Sequence, residues 1–162
     1  MIFNHTNVEL IDGISSKDTN KGRYYTTPAG NVYPSITTML GHIEKPAIQE
    51  WRLSLGVDKA NKETKRAADR GTAVHKMIEN YLNNEENPTA GFDINLIREY
   101  NSVRPRLNKI GDILCQEYPL YSDELKLAGR VDCIGYYEGE LAIIDFKTSN
   151  AVWTPPVIAR SA

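Results

Sequence analysis

Two aspartates near the carboxyl end of the chain are spaced so that they could bind a metal ion together. Glu138-Gly139 has the composition of a two-residue hairpin loop, because glycine tolerates the positive φ that such a turn requires. Counting outward from this loop places Asp132 directly opposite Asp145 on the same sheet face. Opposed carboxylates repel, whereas Mg²⁺ or Mn²⁺ binds converging oxygen ligands. The alternative is that both aspartates only reach solvent at a frayed hairpin end.

A lysine is predicted on the same strand face as the two aspartates. Lys147 follows Asp145 by two residues, so both side chains project from one side of the strand. A lysine there can orient an attacking water or stabilise charge that develops on a phosphoryl group. Phe146 is expected to point into the core, while its backbone carbonyl could add an oxygen ligand. The pattern therefore indicates metal-assisted hydrolysis of a phosphate ester.

A histidine on the longest predicted helix is a further candidate ligand. The helix has an apolar stripe that predicts packing against the sheet: Val74, Met77, Ile78, Tyr81 and Leu82. His75 lies on the flank of this stripe, so it could complete a site with the aspartates, although a half-buried structural histidine is the alternative. Glu79, one turn further on, is open to three interpretations: a partner of His75, an extra metal ligand or a solvated helix charge.

The elements that would position these residues are helices in the first part of the chain and strands in the second. Helices are expected over four segments: residues 36–40 with Ser35 as N-cap, 47–55, 58–83 and 94–107. Residues after Gly111 predict a three-stranded antiparallel meander. Residues 1–32 are rich in turn residues, which predicts an irregular segment with one or two short strands, and residues 150–162 predict an irregular tail. The expected fold is therefore a single α/β domain of the α+β type over residues 1–162.

Composition excludes several classes of protein. The 162 residues suit one domain, and a formal net charge of −2 excludes a globally basic nucleic-acid coat. Cys115 and Cys133 are too few for a disulfide framework or an iron–sulfur cluster, and they predict a reducing compartment. The sequence has no apolar run long enough to cross a bilayer and no signal-peptide pattern. An intracellular, cytoplasmic protein that is not secreted is expected.

Three motifs together resemble those of the RecB-like branch of the PD-(D/E)XK nucleases. They are Arg70-Gly71-Thr72-x-x-His75, Ala128-Gly129-Arg130-x-Asp132 and Ile144-Asp145-Phe146-Lys147-Thr148-Ser149. Ahead of them, Tyr33-Pro34-Ser35-Ile36-Thr37 is similar to a segment of the mitochondrial genome maintenance exonucleases and their phage relatives. The likeness covers residues 33–149, and the order and spacing of the motifs argue against chance.

The resemblance implies a metal-dependent DNA exonuclease that acts on single-stranded ends or flaps during replication, repair or recombination. The Mg²⁺ or Mn²⁺ ion would be held by four groups: His75, Asp132, Asp145 and the Phe146 carbonyl. Lys147 would serve the nucleophilic water, and a further set would lie near the nucleic acid: Arg70, Thr72, Arg130, Thr148 and Ser149. The resemblance also implies helices packed on a central mixed sheet, a bacterial or phage-encoded protein, and no iron–sulfur cluster in this chain.

The resemblance ends with the motif strand. The family continues with a helix that bears a Gln-x-x-x-Tyr motif, and nothing after Ser149 matches it, so this helix is expected to be missing. Its loss would expose apolar sheet surface, which favours a homodimer. Replication or recombination proteins are expected partners, and a membrane is not. Two alternatives stay open: a non-catalytic DNA-binding module on a nuclease scaffold, and a structure-specific endonuclease of the same superfamily.

Overall fold

The computed structural model describes residues 1–148, in which four helices and two three-stranded sheets give an α+β fold, as predicted. The first sheet consists of β1 (Ser15–Thr19), β2 (Gly22–Thr26) and β3 (Val32–Pro34). The helices follow: α1 (Ile36–Gly41), α2 (Pro46–Leu55), α3 (Val57–Leu82) and α4 (Ile94–Leu107). The second sheet consists of β4 (Ile110–Ser122), β5 (Leu127–Tyr137) and β6 (Glu140–Ile144).

All four predicted helices are confirmed, and two of them, α1 and α4, begin at a side chain that caps them. The Ser35 hydroxyl accepts the Thr38 N–H (2.9 Å) at the start of α1, and the Asp93 carboxylate caps α4. Pro46 occupies the first turn of α2, where its missing N–H costs no helical hydrogen bond. Within residues 1–148, every helix is too short or too polar to span a bilayer.

Helix α3 packs its apolar stripe on the second sheet and thereby forms the main core. Met77, Ile78 and Leu82 are almost fully buried against Ile113 of β4 and Cys133 of β5. The predicted stripe therefore faces the sheet, and its flank overlooks the β4–β5 surface.

The β5–β6 hairpin has the predicted register. Tyr137 pairs with Glu140 across the Glu138-Gly139 loop, and both loop residues have a positive φ. The ladder ends at the pair of Cys133 with Ile144, one residue before the two aspartates. The predicted antiparallel meander is thus confirmed.

The two sheets contain less parallel pairing than the expected central mixed sheet. In the described residues all strand ladders are antiparallel, and parallel pairing is restricted to two isolated bridges, His5 with Ile113 and Ser35 with Ala128. On β6, Leu141 and Ile143 are about half exposed, which is the kind of apolar sheet surface that the sequence predicts. Homodimer formation through it stays a prediction.

The N-terminal segment contains two short strands, as its sequence predicts, and a third strand begins at its end. Three antiparallel strands span residues 15–34, and Tyr25 and Tyr33 form a small core with Ala128 of β5. Of the one or two short strands expected within residues 1–32, two are present, β1 and β2. Strand β1 is exposed along its whole length, so its sequence has no apolar–polar alternation that could reveal it. The tail predicted at residues 150–162 lies outside the described residues.

Gly135 permits a close approach between β5 and β4, which gives a prediction about stability. A Cβ at this position would lie 2.7 Å from the backbone oxygen of Asp112, and backbone cannot rotate away. We expect Gly135→Ala to lower the free energy of unfolding by about 2 kcal/mol in urea denaturation. The matched control is Gly111→Ala, whose Cβ would meet the Tyr136 oxygen at 3.6 Å, an ordinary contact. Equal stability of the two variants would contradict the role given to Gly135.

Candidate functional site

A cleft of about 390 Å³ lies between helix α3 and the strands of the second sheet. Its helical wall comes from one face of α3: Gly71, Thr72, His75, Lys76 and Glu79. Its other wall comes from β4 and β5: Glu117, Arg130 and Asp132. The cleft is therefore lined mainly by titratable side chains, which come from a helix and from two strands that pack against each other in the main core.

Three of these side chains converge closely enough to share one metal ion. His75, Glu117 and Asp132 each offer a ligand atom, and the three atoms lie within 4.8 Å of one another. The Nδ1 atom of His75 is 3.7 Å from Oδ2 of Asp132, and all three residues are half-buried. The two carboxylates offer the oxygen ligands that Mg²⁺ and Mn²⁺ prefer, and the imidazole adds a nitrogen donor. We call this group the His75/Glu117/Asp132 cluster.

The register of β4 against β5 brings Glu117 to Asp132. Gln116 pairs with Cys133 and Tyr118 with Val131, so the residues between them stand opposite each other. Glu117 has a φ of 49°, a left-handed conformation that residues other than glycine seldom adopt. Backbone of this kind is concentrated at functional sites, where the surrounding structure maintains it.

The electrostatic environment of Glu117 favours a bound cation. Burial raises the pKa of its carboxyl above the ordinary value, and the nearby carboxylates of Asp132 and Glu79 raise it further. The Arg130 guanidinium opposes this pKa shift, with its Nε atom 2.9 Å from the Glu117 carboxylate. Because the cluster accumulates negative charge in a half-buried cleft, a divalent ion would relieve the repulsion.

Asp132 also connects β5 to the chain that follows β6. Its Oδ2 atom accepts the backbone N–H of Phe146 at 2.7 Å. The Phe146 ring lies edge-to-face against His75, with ring centroids 6.0 Å apart, and packs on the main core. The predicted inward direction of Phe146 is confirmed, and the same residue contacts both His75 and Asp132.

Asp145 and Lys147 lie apart from the three clustered ligands. Lys147 Nζ is 2.7 Å from Asp145 Oδ1, and both side chains are mostly exposed, at 76% and 54%. Their contact places both side chains on one side of the chain, but the predicted strand is shorter than expected, because β6 ends at Ile144. Asp132 and Asp145, which the sequence predicts to stand opposite each other, do not share a ligand group among the described residues. The β5–β6 ladder ends one residue before this pair, and the Asp132 carboxylate accepts the backbone N–H of Phe146. The roles assigned to Asp145, the Phe146 carbonyl and Lys147 stay predictions.

Three of the residues predicted near the nucleic acid line the cleft or lie against helix α3. Thr72 and Arg130 line the cleft directly. A Cβ on Gly71 would lie 3.4 Å from Oγ1 of Thr148, which places the Thr148 side chain against α3 at the cleft.

The remaining predicted residues have other surroundings. Arg70 Nε is 3.7 Å from the Glu99 carboxylate of α4. Glu79 lines the cleft, and its carboxylate is 3.0 Å from the Lys76 ammonium. The structure therefore does not favour two of its three interpretations, a direct partner of His75 and an extra metal ligand in the cluster. Ser149 lies outside the described residues.

Glu117 is the site residue that the sequence interpretation missed, although a signal for it exists. Ser122 pairs with Leu127 around the loop of residues 123–126. Counting outward from this second hairpin places Glu117 opposite Asp132. The position of this loop therefore predicts the contact, which the Glu138-Gly139 loop alone does not.

Comparisons with known proteins identify distant relatives that are exonucleases. The mitochondrial genome maintenance exonuclease 1 of Mus musculus is 30% identical over 128 residues, which cover 74% of this chain and 38% of the mouse protein. The protein of the same name from Homo sapiens is 28% identical over 130 residues, with the same coverage. The chain thus spans well under half the length of these curated relatives. No protein-family model matches the chain. The similarity supports an exonuclease-like relationship.

Proposed function

We propose that this chain is a metal-dependent DNA exonuclease of the RecB-like PD-(D/E)XK type, which hydrolyses phosphodiester bonds at single-stranded ends or flaps. The observation that carries the proposal is the His75/Glu117/Asp132 cluster, which lines a cleft in a chain similar to named exonucleases. The motif positions support the same assignment, because His75 and Asp132 belong to two of the three nuclease-like motifs.

The residues of the cleft fit a hard divalent cation. His75, Glu117 and Asp132 would hold Mg²⁺ or Mn²⁺, and Asp145 with the Phe146 carbonyl would add ligands if the segment after β6 approaches the cluster. When bound, the ion would make a water ligand more acidic and neutralise charge on the phosphate. The raised pKa of Glu117 supports this fit, since burial and, to a smaller extent, the neighbouring carboxylates of Asp132 and Glu79 disfavour its negative charge, which a bound cation would stabilise.

The other polar residues bind and orient the substrate. Lys147 would position the attacking water or stabilise charge on the phosphoryl oxygens. Thr72 and Arg130 offer donors to phosphate oxygens from opposite walls of the cleft. The net charge of −2 supports single strands as the substrate, because tight duplex binding depends on many simultaneous phosphate contacts.

Cleavage of end-labelled linear single-stranded DNA tests the proposal. We expect product with Mg²⁺ or Mn²⁺ and none with a chelator, because the ion completes the site. Covalently closed circular single-stranded DNA of equal length is the control, and it should stay intact.

Each of the other outcomes would indicate a different function for this chain. Metal-dependent cleavage of the circle would indicate an endonuclease. Binding of DNA ends without product in either metal would indicate a non-catalytic module. Absence of both binding and cleavage would reject a role on DNA.

A further inference from the structure

The ion pair between Arg130 and Glu117 has a consequence for how the metal and the substrate bind. Arg130 projects into the cleft from β5, and its Nε atom is 2.9 Å from Oε2 of Glu117 on β4. The contact engages one of the three side chains that would hold the metal. A cation of the protein and a divalent cation therefore need the same carboxylate.

The charges around the cluster make Arg130 the counter-ion of Glu117 in the metal-free protein. Three carboxylates line the cleft, those of Glu79, Glu117 and Asp132. Lys76, the other cationic side chain of the lining, is 3.0 Å from Glu79. Among the groups that act on Glu117, Arg130 is the strongest that favours its ionised form.

The guanidinium is suited to a second ligand once Glu117 has bound a metal. The Arg130 side chain is 52% exposed, against 29% for Glu117, so it can rotate toward the cleft mouth while Glu117 stays in place. Its planar fork of N–H donors matches phosphate oxygens, and arginine remains charged at any physiological pH.

We propose that Arg130 is a positioning residue that exchanges partners: it neutralises Glu117 in the absence of metal and binds a substrate phosphate when the metal occupies the cluster. This inference rests on the proposed function. The exchange couples the two ligands, since the metal releases the group that recognises phosphate, and reciprocal coupling follows by linkage. This one ion pair thereby sets the order of binding, with the metal before the substrate phosphate.

Calorimetric titration of the full chain with Mn²⁺ alone tests the first half of the exchange. Arg130→Gln should bind Mn²⁺ about 3-fold more tightly than the wild type, because the competitor for Glu117 is gone. The matched control is Lys76→Gln, which removes a cation of the same cleft that contacts Glu79 instead. Its Mn²⁺ affinity should change by less than about 2-fold. An equal gain in both variants would show a general field effect and overturn the inference.

Binding of thymidine 5′-monophosphate, a phosphate ligand with no scissile diester, tests the second half. With saturating Mn²⁺, Arg130→Gln should bind it about 10-fold more weakly than the wild type, whereas with chelator the two should bind it equally. Arg130→Lys keeps the charge but lacks the fork, so it should retain wild-type Mn²⁺ affinity and still lose phosphate affinity. This variant decides the matter if Arg130→Gln does not fold.

The outcomes separate this inference from the proposed function. A wild-type chain that binds no Mn²⁺ rejects both. A wild-type chain that binds Mn²⁺ and cleaves DNA, while its Arg130 variants keep wild-type affinity for Mn²⁺ and for the nucleotide, rejects only the exchange.

Discussion

Asp132→Asn is expected to lower the rate of single-strand cleavage by about 1,000-fold while the protein stays folded. Asp132 has two roles in the site: its carboxylate belongs to the ligand cluster, and it also accepts the Phe146 N–H. An asparagine oxygen can still accept that hydrogen bond, so the connection between β5 and the segment after β6 is preserved. The charge that a divalent ion requires is lost.

Thermal unfolding distinguishes loss of the metal from loss of the fold. A ligand that binds only the native state raises the melting temperature, by about 5–10 °C here at a Mn²⁺ concentration of about 100 times its dissociation constant. We expect this increase in the wild type and not in Asp132→Asn, whose melting temperature without metal should equal or exceed that of the wild type.

Asp112→Asn provides the matched control for this prediction. Asp112 is an exposed carboxylate on β4 that accepts a hydrogen bond from Asn4 (2.9 Å), outside the cleft lining. It should keep both the cleavage rate and the Mn²⁺ effect. Wild-type cleavage by Asp132→Asn would remove Asp132 from the site.

The fold was predictable wherever burial leaves a periodic pattern. Helix α3 places one stripe of apolar residues on the second sheet, and that stripe is visible in the sequence at helical spacing. The β5–β6 register was predictable because Gly139 marks the turn and fixes the pairs on either side. The bounds of strand β1 are not predictable from the sequence, since all its residues are exposed and its hydrogen bonds to β2 leave no hydrophobic signature.

The candidate site was predictable residue by residue but not as an assembled group. His75 and Asp132 were identified from helical and strand geometry, and the structure places them 3.7 Å apart. Periodicity does not identify Glu117, because the residues around it in β4 are all half-buried and show no alternation between buried and exposed positions. The hairpin register, which depends only on loop length, does locate it.

The distinction between holding the metal and acting on the substrate can be tested at Lys147. Lys147→Ala should lower the cleavage rate by about 100-fold or more, because a cation that stabilises the phosphoryl charge or orients the water is removed. The side chain is 76% exposed and its ion pair with Asp145 is a surface pair, so the free energy of unfolding should change by less than about 1 kcal/mol. The Mn²⁺-induced rise in melting temperature should persist, since Lys147 is outside the three-ligand cluster.

Lys109→Ala is the matched control, because Lys109 forms an equivalent exposed ion pair with Glu138 (2.8 Å) at the other end of the hairpin. It should cleave at the wild-type rate. If Lys147→Ala also cleaves at that rate, the lysine has no part in the reaction. Asp145→Asn adds the complementary measurement, since it breaks the same ion pair at its acidic end. We expect it to abolish cleavage with stability intact, and a reduced Mn²⁺ effect would then identify Asp145 as a ligand that joins the cluster when the metal binds.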